Sequence, residues 1–179
     1  MEKWKIIKSN YIYRHKYLTV RKDEVDIPNG GHIDDFFVIE NADWVNVIAI
    51  TEDNLFVMER QYRHGIQEIG IEICAGMIDR GEKPLEAAQR ELLEETGYEG
   101  GEWIEYSIST PDPSSMAIRN YTFLAKGVKK VQNQNFEQTE KIDVFLSTPQ
   151  EVLKYLKANK ISEGVMQAPL WRFMYENNI

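Results

Sequence analysis

The chain has 179 residues, enough for one domain of ordinary size with a small addition. Its net charge of −8 disfavours nucleic acid or an anionic membrane surface as a partner. A single cysteine, Cys74, excludes an internal disulfide framework. With no signal-peptide pattern and no apolar run of spanning length, we expect a cytoplasmic protein.

The first 43 residues predict a small antiparallel β region. Segments between residues 4 and 40 are rich in β-branched and aromatic residues, and residues 28–31 (Pro-Asn-Gly-Gly) mark a turn. Their mixed polar and apolar character is typical of a sheet with one solvated face. A polar connection ending at Asp43 predicts the boundary of a second domain that spans 44–179.

The second domain is predicted to have strands before and after a central helix, followed by two C-terminal helices. Strands are predicted at 45–51, 55–63, 66–76, 101–110, 121–130 and 141–147. Cys74 lies in one of these apolar strands, and we expect it in the core rather than as a nucleophile. Thr148 is a candidate cap for a helix over 149–160, and the last helix is expected to begin around Pro169. This order indicates an α/β fold.

The candidate chemistry lies between Gly76 and Tyr98. A loop over 76–81 leads to a helix that begins near Pro84 and ends at Gly97. Glu91 and Glu95 are i,i+4 neighbours, with Glu94 beside them. Like charges at this spacing destabilise an isolated helix, whereas a hard cation such as Mg²⁺ prefers carboxylate oxygens. The alternative interpretation is a solvated acidic helix face.

Two further features accompany these carboxylates. A turn at Gly76 would let a backbone carbonyl, that of Ala75, face the same cation. Arg90 can reach either Glu82 in the loop or Glu86 in the helix, and either contact would hold the loop against the helix.

The positions of Gly76, Glu82, Arg90-Glu91, Glu94-Glu95 and Gly97 match the Nudix signature throughout. The chain therefore resembles the Nudix hydrolases, which cleave a diphosphate linked to another group. This resemblance implies an α/β/α sandwich with a central mixed sheet, preceded here by the N-terminal β region. It also implies two or three Mg²⁺ ions, or Mn²⁺, bound by Glu91, Glu95 and the Ala75 carbonyl, with Glu94 as a further metal-binding or catalytic candidate.

Other segments resemble the ADP-ribose pyrophosphatases of that family. These are Gln61-Tyr62-Arg63, the run from Ile71 to Gly76, and Pro113, sixteen residues after Gly97. The resemblance implies hydrolysis of ADP-ribose to AMP and ribose 5-phosphate by a homodimer formed through the N-terminal region. Cys74 replaces the family's proline, which should change loop rigidity more than chemistry.

The resemblance also assigns roles outside the signature. Glu140 is the candidate catalytic base and Glu137 the second choice, because Gln138 stands where the family often has glutamate. Arg63 would bind the diphosphate, and Glu72 a metal-bound water or the ribose. The alternatives are a surface charge for Arg63 and an exposed strand position for Glu72.

Aromatic residues of the N-terminal region are the candidates for stacking on the nucleotide base. Tyr17 and Phe36 or Phe37 occupy the corresponding stretches, and a flat aromatic face suits a base. A place in the sheet core or in the dimer contact is the alternative for each.

Two other functions remain open. One is a nucleotide-sugar pyrophosphatase of the same fold. The other is a ligand-sensing Nudix module without turnover, which only Gln138 favours.

Overall fold

A computed structural model describes residues 1–135 and 141–179. The N-terminal region forms an antiparallel sheet, as predicted. Its strands are β1 (Lys5–His15), β2 (Leu18–Asp26) and β3 (His32–Glu40), and they pair in the order β1-β2-β3. The Ser9 hydroxyl of β1 donates to the buried Asp23 carboxylate of β2 at 2.6 Å, which holds these two strands together.

The second sheet is mixed, as expected. The strands are β4 (Trp44–Thr51), β5 (Phe56–Arg63), β6 (Glu68–Glu72), β7 (Cys74–Met77), β8 (Tyr98–Glu99), β9 (Glu102–Ser109), β10 (Asn120–Lys130) and β11 (Ile142–Ser147). The main path of the sheet has the order β11-β5-β4-β10-β8, with β6 beside β5, β7 beside β4 and β9 beside β10. The pair β4–β10 is parallel, whereas β4–β7, β5–β6 and β5–β11 are antiparallel.

Helices cover both faces of this sheet. They are α1 (Pro84–Glu91), which continues as a π-helical turn (Leu92–Thr96), α2 (Pro149–Lys157) and α3 (Gly164–Glu176). Successive side chains of a strand point to opposite faces. In β4, Val47 therefore packs with α1, whereas Ile48 packs with α2 and α3. The α/β/α arrangement is confirmed. None of the helices in the described ranges is long and apolar enough to cross a membrane.

Of the two predicted starts of the C-terminal helices, one is confirmed and the other is wrong. Thr148 caps α2 as expected, because its hydroxyl accepts the N–H of Glu151 at 3.3 Å. The prediction that the last helix begins around Pro169 is wrong, since α3 begins at Gly164 and contains Pro169. A proline within a helix leaves the carbonyl four residues earlier without its N–H partner. Here the buried Asn46 side chain donates to that carbonyl, Val165 O, at 3.1 Å.

Close contacts divide the described residues into two units. One contains 1–43 with 110–119, and the other contains 44–109 with 120–179. The segment 110–119 returns to β3, where the Ile39 N–H donates to the Ser115 carbonyl at 2.8 Å. The predicted domains, 1–43 and 44–179, do not anticipate this return and stay a prediction.

Candidate active site

The helix that carries the candidate carboxylates has an irregular end. It begins at Pro84 as expected, but its last turn is π-helical, a form often found at functional sites. The turn stops at Gly97, whose φ of 75° favours glycine. A Cβ there would also lie 2.1 Å from the Gln132 carbonyl oxygen. Both conformation and space therefore require glycine at this position.

Arg90 joins the helix to the preceding loop. Its guanidinium donates to both oxygens of Glu82 at 2.9 Å and to the Met77 carbonyl at 3.1 Å. It also donates to Glu91 at 2.8 Å and to Glu94 at 3.2 Å. The Arg90 hydrogen bonds hold the pKa of Glu82 below its usual range. Of the two expected partners, Arg90 thus binds Glu82.

Glu86 has another role in the same helix. Its carboxylate accepts the Lys83 N–H at 3.2 Å, at the helix N-terminus, where negative charge is favourable.

Gly76 is required for space rather than for a turn. It lies within β7, so the loop expected from residue 76 starts later. A Cβ on Gly76 would be 2.1 Å from the carboxyl carbon of Glu91. The Glu91 carboxylate therefore lies directly against the β7 backbone, in a space that only glycine leaves open.

Glu95 meets the same strand. Its Oε2 accepts the N–H of Ala75 at 3.2 Å, and its side chain is largely buried. The i,i+4 pair Glu91 and Glu95 therefore lies over two adjacent residues of β7, Ala75 and Gly76. Two carboxylates that converge beside a strand backbone offer the oxygen donors that Mg²⁺ or Mn²⁺ prefers. The residues present fit such a cation, and the role of the Ala75 carbonyl stays a prediction.

Glu59 is a further buried carboxylate, close to Glu95, and it was not predicted from the sequence. It is 2% exposed, and its Oε1 has no hydrogen-bond partner among the described residues. Burial, with the nearby charges of Glu95 and Glu72, raises the pKa of Glu59 well above its usual value. The available signal was its place in an apolar strand, directly after the buried Met58.

Cys74 lies beside this carboxylate. It is fully buried, as expected, and burial raises the pKa of its thiol. Its sulfur and one carboxylate oxygen each from Glu59 and Glu95 all lie within 4.8 Å of one another.

Arg63 and Glu72 form an ion pair on neighbouring strands. The Arg63 Nε lies 2.9 Å from one Glu72 oxygen and 3.1 Å from the other, and Nη2 also contacts Glu72. This hydrogen bonding raises the pKa of Arg63. Glu72 is buried, so the alternative of an exposed strand position is wrong. The Arg63 side chain stays 41% exposed.

Arg63 and Glu72 line a cavity of about 510 Å³. Glu163 also lines it, and burial and the nearby charge of Glu72 raise the pKa of the Glu163 carboxyl. Trp44 and Ile66 provide apolar surface. Glu163 was not predicted from the sequence. The lining comprises Trp44, Asn46, Arg63, Gly65, Ile66, Glu72, Ala75, Gly76, Met77, Ser162 and Glu163.

The candidate bases Glu137 and Glu140 lie outside the described residues. The described chain just before them is held at the π-helical turn. The Asn135 N–H donates to the Glu94 carbonyl at 2.9 Å, and the Gln134 side chain donates to the Glu95 carbonyl at 2.7 Å.

The candidate base-stacking aromatics belong to the N-terminal unit. Tyr17 and Phe37 are about half exposed, and the Phe36 ring packs edge-on against Trp4 with centroids 5.8 Å apart. Their proposed role stays a prediction.

Comparison with known proteins identifies the family. Residues 40–168 match the NUDIX domain, and residues 4–39 match the nucleoside diphosphate sugar hydrolase N-terminal domain. The chain therefore belongs to the Nudix family, and the predicted fold and hydrolase class are confirmed.

Individual relatives carry different names. The chain is 35% identical to a methanol dehydrogenase activator of Bacillus methanolicus and 25% identical to an ADP-ribose pyrophosphatase of Bacillus subtilis. Each alignment covers 89% of this chain and 86% of the relative. The fold matches a crystal structure of an ADP compounds hydrolase with a TM-score of 0.79, at 19% identity, over 99% of this chain and 97% of that one.

Proposed function

We propose that the protein hydrolyses the diphosphate of a nucleoside diphosphate linked to another group, with ADP-ribose as substrate and AMP and ribose 5-phosphate as products. The observation that carries the proposal is the convergence of Glu91 and Glu95 on Ala75 and Gly76, two residues that also line the cavity of Arg63. The name of the Bacillus subtilis relative supports the substrate.

In this proposal the site residues bind either the cations or the diphosphate. Glu91 and Glu95, with the Ala75 carbonyl, hold two or three divalent cations, and Glu94 is a further ligand or catalytic candidate. Bound there, Mg²⁺ or Mn²⁺ supplies charge neutralisation and Lewis acidity toward the diphosphate. Arg63 binds phosphate oxygens through its exposed part, while Glu72 fixes the orientation of the guanidinium.

A carboxylate of the segment 136–140 activates the attacking water, with Glu140 as first choice and Glu137 as second. The anchoring of Asn135 at the Glu94 carbonyl supports a base from this segment. The test compares Glu140→Gln with Glu137→Gln. We expect the larger loss of kcat in Glu140→Gln, and a loss confined to Glu137→Gln would reverse the assignment.

The N-terminal unit is proposed to form the homodimer and to contribute Tyr17, Phe36 or Phe37 to the base site. Many of its apolar side chains are exposed in the single chain, which supports burial against a second copy. Sedimentation equilibrium tests the dimer. The exposed apolar residues of this unit are Met1, Trp4, Ile6, Ile7, Tyr11, Ile12, Tyr13, Tyr17, Leu18 and Phe37.

The substrate is tested by a hydrolysis screen in Mg²⁺ with product identification. The panel contains ADP-ribose, nucleotide sugars, NADH, dinucleoside polyphosphates and nucleoside triphosphates, each also offered to Glu95→Gln. We expect ADP-ribose to be cleaved fastest and Glu95→Gln to be folded but inactive. A nucleotide sugar as best substrate would favour the alternative that the match of residues 4–39 supports. Wild-type rates in Glu95→Gln would refute the metal site.

A second candidate function follows from the name of the Bacillus methanolicus relative, which is 35% identical over most of this chain. It is activation of a methanol dehydrogenase. The assay measures dehydrogenase rate with the wild-type protein or with Glu95→Gln. Activation that needs Glu95 would link it to hydrolysis, whereas activation by both forms would favour a binding role, as in the ligand-sensing alternative.

A further inference from the structure

One oxygen of the buried Glu59 carboxylate, Oε1, lacks the hydrogen-bond partner that burial requires within the part of the chain that the structure describes. It lies on β5 opposite Glu72, whose carboxylate is already bound by Arg63. Removing a charged or polar group from water is costly unless a hydrogen bond or a cation compensates, and nearly all buried polar atoms have such a partner. Glu59 Oε1 has none among the described residues. The position therefore points to a ligand.

The groups nearest to this carboxylate are a sulfur and a second carboxylate. Cys74 on β7 and Glu95 on the π-helical turn each place a donor atom within 4.8 Å of a Glu59 oxygen and of one another. Mg²⁺ accepts only oxygen donors readily, whereas Zn²⁺ and Cd²⁺ bind thiolate and carboxylate together. The donor set thus selects a thiophilic cation.

We propose that Glu59, Cys74 and Glu95 form a binding site for a thiophilic divalent cation of the Zn²⁺ class. In a tetrahedral Zn²⁺ site the thiolate and carboxylate donors lie about 3.6 Å apart, from bond lengths of about 2.3 and 2.1 Å. Side-chain shifts of about 1 Å bring the present cluster to that spacing. The Cys74 thiol releases its proton to solvent as the metal–sulfur bond forms, a protonated Glu59 carboxyl does the same as it binds, and no redox step occurs.

The cavity of Arg63 adjoins this cluster through neighbouring residues. Cys74 is fully buried, but Ala75 and Gly76, which follow it in β7, line the cavity wall, as does Glu72, opposite Glu59. A cation in the cavity is therefore beside residues that adjoin Cys74 in the chain and pair with Glu59 in the sheet. A cavity water can occupy the fourth position of the coordination sphere.

The site shares Glu95 with the proposed Mg²⁺ site but does not depend on hydrolysis. Its occupation by a thiophilic cation withdraws one carboxylate from Mg²⁺. The spectroscopic test below is independent of any substrate, so failure of the proposed function would leave its outcome unchanged.

The test is a titration of the metal-free protein with Cd²⁺, followed by the ultraviolet charge-transfer band of the Cd²⁺–thiolate bond. Cys74 is the sole cysteine, so the band reports on this position alone. We expect saturation at one Cd²⁺ per chain. Glu59→Gln, which keeps side-chain size, should weaken binding by at least about tenfold. Glu52→Gln is the matched control, because Glu52 is an exposed carboxylate paired with Lys129 at 3.1 Å, and its affinity should equal wild type.

Calorimetry with Zn²⁺ provides the second measurement. Cys74→Ala should lose the tight binding event while circular dichroism shows the native fold. Three results would overturn the proposal: no charge-transfer band in the wild type, equal Cd²⁺ affinity in wild type and Glu59→Gln, or unchanged Zn²⁺ binding in Cys74→Ala. If Glu59→Gln does not fold, the Cys74→Ala calorimetry decides.

Discussion

Replacement of Gly76 by alanine tests whether the position of Glu91 matters for catalysis. The added Cβ would lie 2.1 Å from the Glu91 carboxyl carbon, and ordinary contact starts at 3.4 Å. The carboxylate must therefore move by about 1.3 Å (3.4 − 2.1). A displacement of about 1 Å at a reacting centre can cost on the order of 10²-fold in rate. We expect kcat/KM to fall about 100-fold, which corresponds to about 2.7 kcal/mol of transition-state stabilisation.

The assay is the initial rate of ADP-ribose hydrolysis at increasing Mg²⁺ concentration. Gly164→Ala is the control, since a Cβ there meets no atom within 4 Å, and it should retain wild-type kcat/KM. Glu91→Asp shortens the displaced side chain. In a double-mutant cycle, Gly76→Ala should therefore cost much less in the Glu91→Asp background than in the wild type.

Two results would refute this reasoning. One is a Gly76→Ala protein with a rate close to wild type, which would mean that the Glu91 carboxylate works equally well elsewhere. The other is full additivity in the double-mutant cycle, which would mean that the loss does not arise from contact with Glu91. Circular dichroism and thermal unfolding establish that each variant is folded.

Three further outcomes are expected. Asn46→Leu leaves the Val165 carbonyl without a donor, and chemical denaturation should show a loss of about 1–3 kcal/mol of unfolding free energy. Arg63→Lys cannot bind phosphate oxygens in bidentate fashion, so steady-state kinetics should show KM raised about tenfold. Burial and the hydrogen bond to Glu176 raise the pKa of Tyr106 to about 12, so the folded state holds this proton more tightly than the unfolded chain, whose tyrosine titrates near 10. The contribution of Tyr106 to the free energy of unfolding is therefore fully present below about pH 10 and declines as the pH rises toward 12. Urea titrations of Tyr106→Phe should lack this decline.

The features predicted correctly depend on short-range signals. Pro84 and Gly97 mark the limits of the helix that carries Glu91 and Glu95 through their own backbone preferences, and Thr148 caps α2 through a residue three positions away. The start of α3 was wrong because its support is distant. Asn46, 119 residues before Val165, donates to the carbonyl that Pro169 leaves unpaired. A prediction from the local preferences of proline cannot include a hydrogen-bond donor so far away in the chain.

The candidate active site likewise combines features that short-range signals predict with features that depend on distant contacts. The fixed spacing of the signature predicts that Glu91 and Glu95 act together, because both lie on one helix. The meeting of Glu59 with Cys74 depends on the pairing of β5 with β6 and of β7 with β4, which a single sequence does not reveal. Glu163 reaches the cavity from the turn before α3 for a similar reason. For Gly76 the predicted reason for glycine was a turn, whereas in the structure a Cβ at this position would clash with Glu91, which lies on another element.

The parallel pairing of β4 with β10 also affects how the chain acquires its fold. Asn120 pairs with Trp44, so the two strands at the centre of the sheet are 76 residues apart in the chain (120 − 44). Contacts at such separation slow folding, because a long loop must close before they form. During synthesis one side of the apolar strand β4 therefore lacks its β10 partner until residue 120 has been made, although the helix that carries Glu91 lies within the loop and is made earlier. Until β10 pairs with it, this side of β4 is an unpaired apolar strand edge, the kind of surface through which incomplete chains aggregate.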